Sequence, residues 1–340
     1  MLTSDFDYAL DEKLIAQTPA QPRDSSRLLV YERGSDKITH AVFCDVTDWL
    51  KQGDVLVINE TRVIPARLYG SKRRGGANFE FLLLKHLKDK RWDVIMKPGK
   101  RLNPGDYVDF SEDLCAKLIE KKEDGVCEVS FEHTGDFYSL LDRYGKTPLP
   151  PYITNENGHK EQYQTVYAAK DGSAAAPTAG LHFTPKLLLE LEESGVIIVR
   201  LLLHVGLGTF RPVKEELIEN HIMHPEYYEI SPQVADAVNS AKRDGRRVVA
   251  VGTTSVRALE GAADSGGNVI DGSGNTDIFI YPGYRFKVTD ALLTNFHLPQ
   301  STLLMLVSAF AGRERTLELY SEAIGMNYRF FSFGDAMLIL

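Results

Sequence analysis

Between Arg67 and Phe131 the chain reads as strands and turns alone, and on either side of that stretch it does not. The runs Phe79-Glu-Phe-Leu-Leu-Leu, Arg91-Trp-Asp-Val-Ile-Met, Gly105-Asp-Tyr-Val-Asp-Phe and Val126-Cys-Glu-Val-Ser-Phe alternate in polarity and are separated by Gly, Pro, Asn and Asp. Successive side chains of a strand point to opposite faces, so such runs bury one face each; several at this spacing predict a small barrel or sandwich. The proline-rich Tyr144-Gly-Lys-Thr-Pro-Leu-Pro-Pro-Tyr then reads as an extended linker. From residue 160 onward strands alternate with helices. Thr184-Pro185 caps a helix over Lys186 to Glu193, and Gly195 stops it before the strand Val196-Ile-Ile-Val-Arg-Leu-Leu-Leu. Pro232 to Arg243 is a second helix, closed by Gly245 before Arg247-Val-Val-Ala-Val. A third runs from Thr254, and Ser301 caps a fourth. This alternation predicts an α/β layer with a largely parallel sheet. The first sixty residues also end in a strand, Asp54-Val-Leu-Val-Ile-Asn, and belong with it. The expected fold is therefore α/β: a layered, discontinuous domain at 1–63 and 153–340, with a small β-barrel domain inserted at 64–152.

Composition decides the setting. With 340 residues, 43% hydrophobic and 25% charged, the chain has apolar material for a sizeable core. Residues 1–8 show neither the basic start nor the apolar run of a secretory signal. The longest apolar stretch, Leu303 to Ala311, is broken by Ser308 and falls far short of the roughly 20 residues of a membrane span. Cys44, Cys115 and Cys127 form no CxxC pair, as expected of reduced thiols. The expectation is a cytoplasmic protein that avoids membranes. A net charge of -8 argues against nucleic acid until it is divided: Arg67 to Arg101 holds eleven Lys/Arg against three acidic residues, +8, leaving -16 elsewhere. That island reads either as an electrostatic footprint for phosphate or as solvated hairpin turns.

Several motifs carry chemistry, each beside a plainer reading. Two strands run into glycine-rich turns, His204-Val-Gly-Leu-Gly-Thr-Phe-Arg-Pro and Gly252-Thr-Thr-Ser-Val-Arg. Glycines let a ligand approach the backbone, and N–H groups at the start of a following helix attract a carboxylate or phosphate; ordinary tight turns have the same composition. The acidic residue and dense early glycines usual for S-adenosylmethionine on a Rossmann sheet are missing, since His204 precedes Val205. His221, His224 and Glu226 offer three metal ligands, or line a polar pocket or a strand entry; the latter two are preferred because Pro225 breaks any regular helix and no fourth ligand stands nearby. His297 lies in a loop before a helix, suited to acid–base work or to a structural role. Asp335 precedes the apolar end Ala336-Met-Leu-Ile-Leu, either as a perturbed carboxylate or as a turn former. Arg23 and Arg27, and Arg62 and Arg67, flank strand boundaries, where guanidinium forks take phosphates or make salt bridges.

A series of blocks, in order, resembles the S-adenosylmethionine:tRNA ribosyltransferase-isomerases of queuosine biosynthesis, over essentially the whole chain. They include Pro22-Arg-Asp-Ser-Ser-Arg-Leu-Leu, Asn59-Glu-Thr-Arg-Val-Ile-Pro-Ala-Arg-Leu and Ala175-Ala-Pro-Thr-Ala-Gly-Leu-His-Phe-Thr. Further blocks are His204-Val-Gly-Leu-Gly-Thr-Phe-Arg-Pro-Val, Val251-Gly-Thr-Thr-Ser-Val-Arg-Ala-Leu-Glu, Leu293-Thr-Asn-Phe-His-Leu-Pro-Gln-Ser-Thr-Leu and Gly334-Asp-Ala-Met-Leu-Ile. The resemblance implies ribosyl transfer from S-adenosylmethionine, as co-substrate, to 7-aminomethyl-7-deazaguanine at the wobble position of tRNA with a GUN anticodon. The products are epoxyqueuosine-tRNA, adenine and methionine. No metal or prosthetic group is implied, and a monomer is expected. On this reading His204 or His297 is the base and Asp335 assists adenine. Gly206, Gly208, Thr209, Gly252, Thr253, Thr254 and Arg257 hold the co-substrate. Arg23, Arg27, Asn59, Arg62, Arg67, Thr178 and His182 face the tRNA, with Lys72, Arg73 and Arg74 on its phosphates. An S-adenosylmethionine-dependent RNA methyltransferase and a non-catalytic RNA-binding protein are the competing classes.

Overall fold

Four runs of the chain, Val55–Asn59, Val248–Val251, Ala291–Asn295 and Ala336–Ile339, are buried at every position, including both faces. Only a strand covered on both sides can be apolar throughout, so these runs must lie at the centre of a layered sheet. In the computed structural model, which describes residues 1–154, 161–206 and 213–340, they do. The nine-stranded order is Gly272–Thr276, Glu226–Ile230, Ile197–Leu203, Val55–Asn59, Val248–Val251, Ala291–Asn295, Ala336–Ile339, Arg27–Glu32, Lys37–Val42.

Ile197–Leu203, Val55–Asn59, Val248–Val251 and Ala291–Asn295 are mutually parallel. The sheet as a whole is mixed, which corrects the largely parallel expectation. Lys37–Val42 returns from Arg27–Glu32 through a four-residue turn, and so short a connection permits only antiparallel pairing. Ala336–Ile339 runs antiparallel to Ala291–Asn295 and parallel to Arg27–Glu32. One consequence matters for function: the carboxyl ends of the four parallel strands share an edge with the starts of these two, Asn295 pairing with Ala336.

One face of the sheet packs Leu28, Val30, Leu56, Ile58, Val249, Leu293 and Leu338 against Phe43, Phe183, Leu187 and Leu191. Each such side chain contributes about 1.5–3 kcal/mol on burial. Three helices begin where the sequence placed them, behind the caps Thr184 and Ser301 and at Pro232. Thr184, Ser231 and Ser301 accept hydrogen bonds from the backbone N–H groups of Leu187, Val234 and Leu304, opening Pro185–Glu193, Pro232–Arg243 and Thr302–Ala311. The remaining helix differs from the reading: it starts at Gly252, directly on the strand end, and runs to Gly261 with no loop between.

The chain divides into two compact units: Met1–Thr61, Pro151–Ala169 and Pro177–Leu340, and Arg62–Pro150 with Lys170–Ala176. The smaller unit thus takes a segment, Lys170–Ala176, that lies beyond the single insertion expected from the sequence. The cause is backbone pairing of Lys170–Ser173 with Thr61–Val63. Six strands of this unit close into a barrel, in the order Val126–His133, Arg91–Lys97, Asn78–His86, Arg67–Lys72, Tyr107–Asp109, Leu114–Lys121. Alternate residues fill it, among them Leu68, Phe79, Phe81, Trp92, Val94, Leu118 and Phe131, and Leu140 and Leu141 of the Phe137–Tyr144 helix join them. Gly70 is needed where strands crowd, because a Cβ there would lie 2.6 Å from the Asp109 carbonyl oxygen.

Candidate active site

Two of the apolar strands end in a buried asparagine, Asn59 and Asn295. A side-chain amide needs partners when buried, and both find them at the carboxyl edge of the sheet. Asn59 Nδ2 donates to the Leu203 carbonyl at 2.9 Å, and its Oδ1 accepts from the N–H groups of Leu203 and Thr61 at 3.0 and 3.1 Å. It thereby ties the ends of two neighbouring strands. Thr61 Oγ1 and His204 Nδ1 share a hydrogen bond of 2.9 Å, and the His204 ring stacks on Tyr227. Gly206 N–H donates to Glu226 Oε1 at 2.9 Å, and Glu226 Oε2 accepts from Arg257 Nη1. Glu226 and Arg257 are each about 5% exposed, so this is a buried ion pair. Arg257 also donates from Nε to the Ile278 carbonyl, while its Nη2 has no partner among the described residues.

Gly252 opens its helix with a φ of +81°, a left-handed conformation that favours glycine. The helix has Val251 as N-cap and no capping side chain, so its first N–H groups face the strand end with their partial positive charge. Thr253 and Thr254 are buried on this first turn, and Arg257 follows one turn later. Such a helix start attracts an anion without further machinery. Gly208 and Thr209 lie outside the described residues.

The second part of the edge gathers around Asn295. Its Nδ2 donates to His182 Nε2 at 3.0 Å, and its Oδ1 accepts from Thr178 Oγ1 at 2.8 Å. His182 Nδ1 then donates to Ser26 Oγ at 2.7 Å, and the ring lies stacked on Phe43. Burial lowers the His182 pKa to about 3, so the ring is neutral at pH 7. Arg23, Ser26, His182 and Ser332 line one small cleft. Arg23 donates to the Gln162 carbonyl and lies over Phe333; burial lowers its pKa to about 10, which leaves it charged.

Other selected residues have structural partners. Asp335 is 1% exposed and accepts backbone N–H bonds from Arg27 and Arg329, with both guanidinium groups beside it. Arg27 also donates to the Met326 and Asn327 carbonyls over the Tyr328 ring. His297 shares a 2.8 Å bond between Nε2 and Thr294 Oγ1, and its backbone is held by Tyr8 and Tyr320. Burial lowers its pKa to about 3. His221 pairs with Glu215 while Glu226 faces Arg257, and no His, Cys, Asp or Glu trio is placed for a metal among the described residues.

In the barrel unit, Lys72 pairs with Asp106 at 2.6 Å, Arg73 forks onto Asp109, Arg67 lies 3.3 Å from Glu80, and Arg62 lies 3.9 Å from Asp171. The cleft beside Arg73 is walled by Asp109, Glu112, Asp113 and Glu132, a repulsive place for phosphate. Arg74 is exposed. Over the whole unit the charge is 18 Lys/Arg against 15 Asp/Glu, +3. The +8 island was thus partly a matter of where the window ended, just before Asp106 and Asp109. Lys88, Lys90, Lys97, Lys100 and Arg101 are exposed and form no ion pair among the described residues.

Sequence reading missed Ser26, Asn295, Thr61 and the pairing of Glu226 with Arg257. One signal was available: an asparagine closing a mainly apolar strand, as in Val55–Asn59 and Ala291–Asn295, has to be satisfied by something beyond that strand.

Comparison with known proteins points one way. The family model described as queuosine biosynthesis protein matches residues 3–339. An S-adenosylmethionine:tRNA ribosyltransferase-isomerase from Heliobacterium modesticaldum is 55% identical over 339 residues, covering 98% of either chain. One of the same name from Desulforamulus reducens is 53% identical over 341 residues, covering 100% of both. The crystal structure of S-adenosylmethionine tRNA ribosyltransferase from Thermotoga maritima is 39% identical, with 99% of this chain and 100% of that one covered, at a TM-score of 0.58.

Proposed function

The chain belongs to the queuosine biosynthesis protein family, and from that membership we propose that it is an S-adenosylmethionine:tRNA ribosyltransferase-isomerase. It moves the ribosyl group of S-adenosylmethionine onto the aminomethyl nitrogen of 7-aminomethyl-7-deazaguanine at the wobble position of a GUN anticodon. Epoxyqueuosine-tRNA, adenine and methionine leave. The observation that carries the reading is the carboxyl edge of the sheet. There an uncapped helix start, a buried arginine and a histidine with a fixed Nδ1 partner follow from the two parallel strands that flank Val55–Asn59. The setting proposed is the cytoplasm, with a monomer acting on tRNA and no prosthetic group; no helix among the described residues is long and apolar enough to cross a membrane.

The sulfonium acidifies the ribose C5′ protons, so a base of modest strength suffices. We assign that base to His204. For Nε2 to accept, Nδ1 must carry the ring proton and donate it to Thr61 Oγ1, which the 2.9 Å geometry allows. His297 we assign to bracing, since both ring and backbone are held by Thr294, Tyr8 and Tyr320. The N-terminus at Gly252, with Thr253 and Arg257, takes the methionyl carboxylate; Glu226 holds Arg257 in place and accepts from the Gly206 N–H. Arg23 and Thr178 are assigned to the acceptor nucleotide, with His182 as a positioning residue held between Ser26 and Asn295. Asp335 acts as a positioning residue for Arg27 and Arg329, not as the acid for adenine, because both of its oxygens already accept N–H bonds.

The test is product analysis with an anticodon stem-loop carrying the aminomethyl base. Free adenine supports ribosyl transfer, S-adenosylhomocysteine would replace it by methylation, and binding without turnover would reduce the protein to an RNA binder. His204→Ala should lower the single-turnover rate at least a hundredfold; a near wild-type rate removes His204 as the base.

A further inference from the structure

We propose that the side chains of Thr165, Tyr167 and Thr254 form a hydroxyl-lined subsite that binds the ribose diol of the co-substrate. All three are buried, at 5%, 5% and 8% exposure, and none of their hydroxyl oxygens has a hydrogen-bond partner among the described residues. A buried hydroxyl without a partner loses its water and regains nothing, so native structures rarely keep one without a reason. Here three occur around one short segment. A Cβ built on Gly180 would lie 2.0 Å from Tyr167 Oη and 2.9 Å from Thr165 Cγ2, so both side chains press on the turn Thr178–His182. On the neighbouring residue, Ala179 Cβ would lie 3.6 Å from a Cβ on Gly252, whose other near atom is Thr254 Oγ1 at 3.5 Å. The turn is thus flanked by the Tyr167 phenol and by the uncapped helix start.

The chemistry of the lining selects the ligand. Hydroxyls donate and accept but carry no charge, and burial holds the Tyr167 phenol well above its usual pKa, so it acts as a neutral group. A carboxylate belongs with the helix start and Arg257, and a sulfonium or ammonium would find no anion in this trio. A ribose diol supplies two neutral groups that both donate and accept, which is what this lining complements. The assignment rests on the reading that the protein binds S-adenosylmethionine. It adds two contacts, Thr165 and Tyr167, that the sequence motifs did not select, and it explains why position 180 is glycine: any side chain there displaces the phenol.

The prediction has two signs. Tyr167→Phe removes only the orphaned oxygen, so the ligand-free protein should melt at the same temperature or higher. Its Kd for S-adenosylmethionine, measured by titration calorimetry, should rise about tenfold, equivalent to about 1.4 kcal/mol for one hydrogen bond. Thr254→Val, of similar shape, should behave alike. Against the 2′-deoxy or the 3′-deoxy analogue of S-adenosylmethionine, at least one substitution should cost nothing further, because the partner hydroxyl is gone. A lower melting temperature with unchanged Kd overturns the subsite by giving the hydroxyl a structural role. Equal losses on both deoxy analogues overturn the ribose assignment. If the wild-type protein does not bind S-adenosylmethionine, the function proposed above fails and the subsite falls with it. Wild-type binding with indifferent variants refutes the subsite alone.

Discussion

Gly180→Ala offers a stability experiment whose outcome can be worked from distances. The added Cβ would stand 2.0 Å from Tyr167 Oη, 2.9 Å from Thr165 Cγ2 and 3.0 Å from Tyr167 Cζ. Non-bonded heavy atoms rest near about 3.5 Å, so about 1.5 Å must be absorbed by a ring that is 5% exposed. The turn itself is pinned at both ends, by Thr178 on Asn295 and by His182 on Ser26. Gly180 is not among the left-handed glycines, so the cost is steric and not conformational. Overpacking of a tight core costs about 1–3 kcal/mol, and a contact this short belongs at the upper end, about 3 kcal/mol. Adding Tyr167→Phe removes the 2.0 Å contact and leaves the two near 3 Å, which a small shift relieves at about 1 kcal/mol. The double variant should therefore recover about 2 kcal/mol, read as the coupling energy of a double-mutant cycle. Urea unfolding followed by fluorescence measures it, in a Trp92→Phe background that leaves Trp49 of the larger unit as the sole tryptophan. Additive effects, or a Gly180→Ala protein as stable as the parent, would refute the packing argument.

Three further outcomes are expected. Glu226→Gln leaves Arg257 buried without its counter-charge and should destabilise the larger unit by about 3–5 kcal/mol, whereas replacing both by methionine should recover most of it; equal losses in the single and double variants would show that the pair is not the cause. His182 has its pKa lowered from 6.5 to about 3 by burial, so the unfolded chain takes up a proton before the folded one does. Its contribution is complete above pH 6.5 and lost as the pH falls towards 3, about 2 kcal/mol by pH 5; His182→Gln should flatten the stability profile over that range, and an unchanged slope would contradict the assignment. Neutralising Lys88, Lys90, Lys97, Lys100 and Arg101 should weaken anticodon stem-loop binding and reduce the slope of log K against log salt by several units. Neutralising the paired Lys72 and Arg73 should mainly destabilise the barrel; the opposite ranking in the binding assay would return the phosphate contacts to those two residues.

The periods of the sequence carried the architecture. Alternation of two along Phe79–Leu84 and Arg91–Met96 means one buried face, and wholly apolar runs such as Val248–Val251 mean two, whatever the chain does elsewhere. The helix caps at Thr184 and Ser301 were equally legible, because a cap is satisfied within three residues of itself. The candidate site was legible only as a set of neighbourhoods. Arg27, Asp335 and Arg329 meet across more than three hundred positions, and whether a guanidinium faces a phosphate or a carboxylate depends on which one tertiary packing puts beside it. The charge island shows the same limit, since Lys72 and Arg73 are answered by Asp106 and Asp109 from the strand beside them. Likewise, nothing local to Tyr167 says that its hydroxyl is buried without a partner, since that follows from packing against Gly180. Local periodicity and caps act over a few residues and can be read along the chain. Polar satisfaction is settled between segments that are not neighbours along the chain, and only the folded structure decides it.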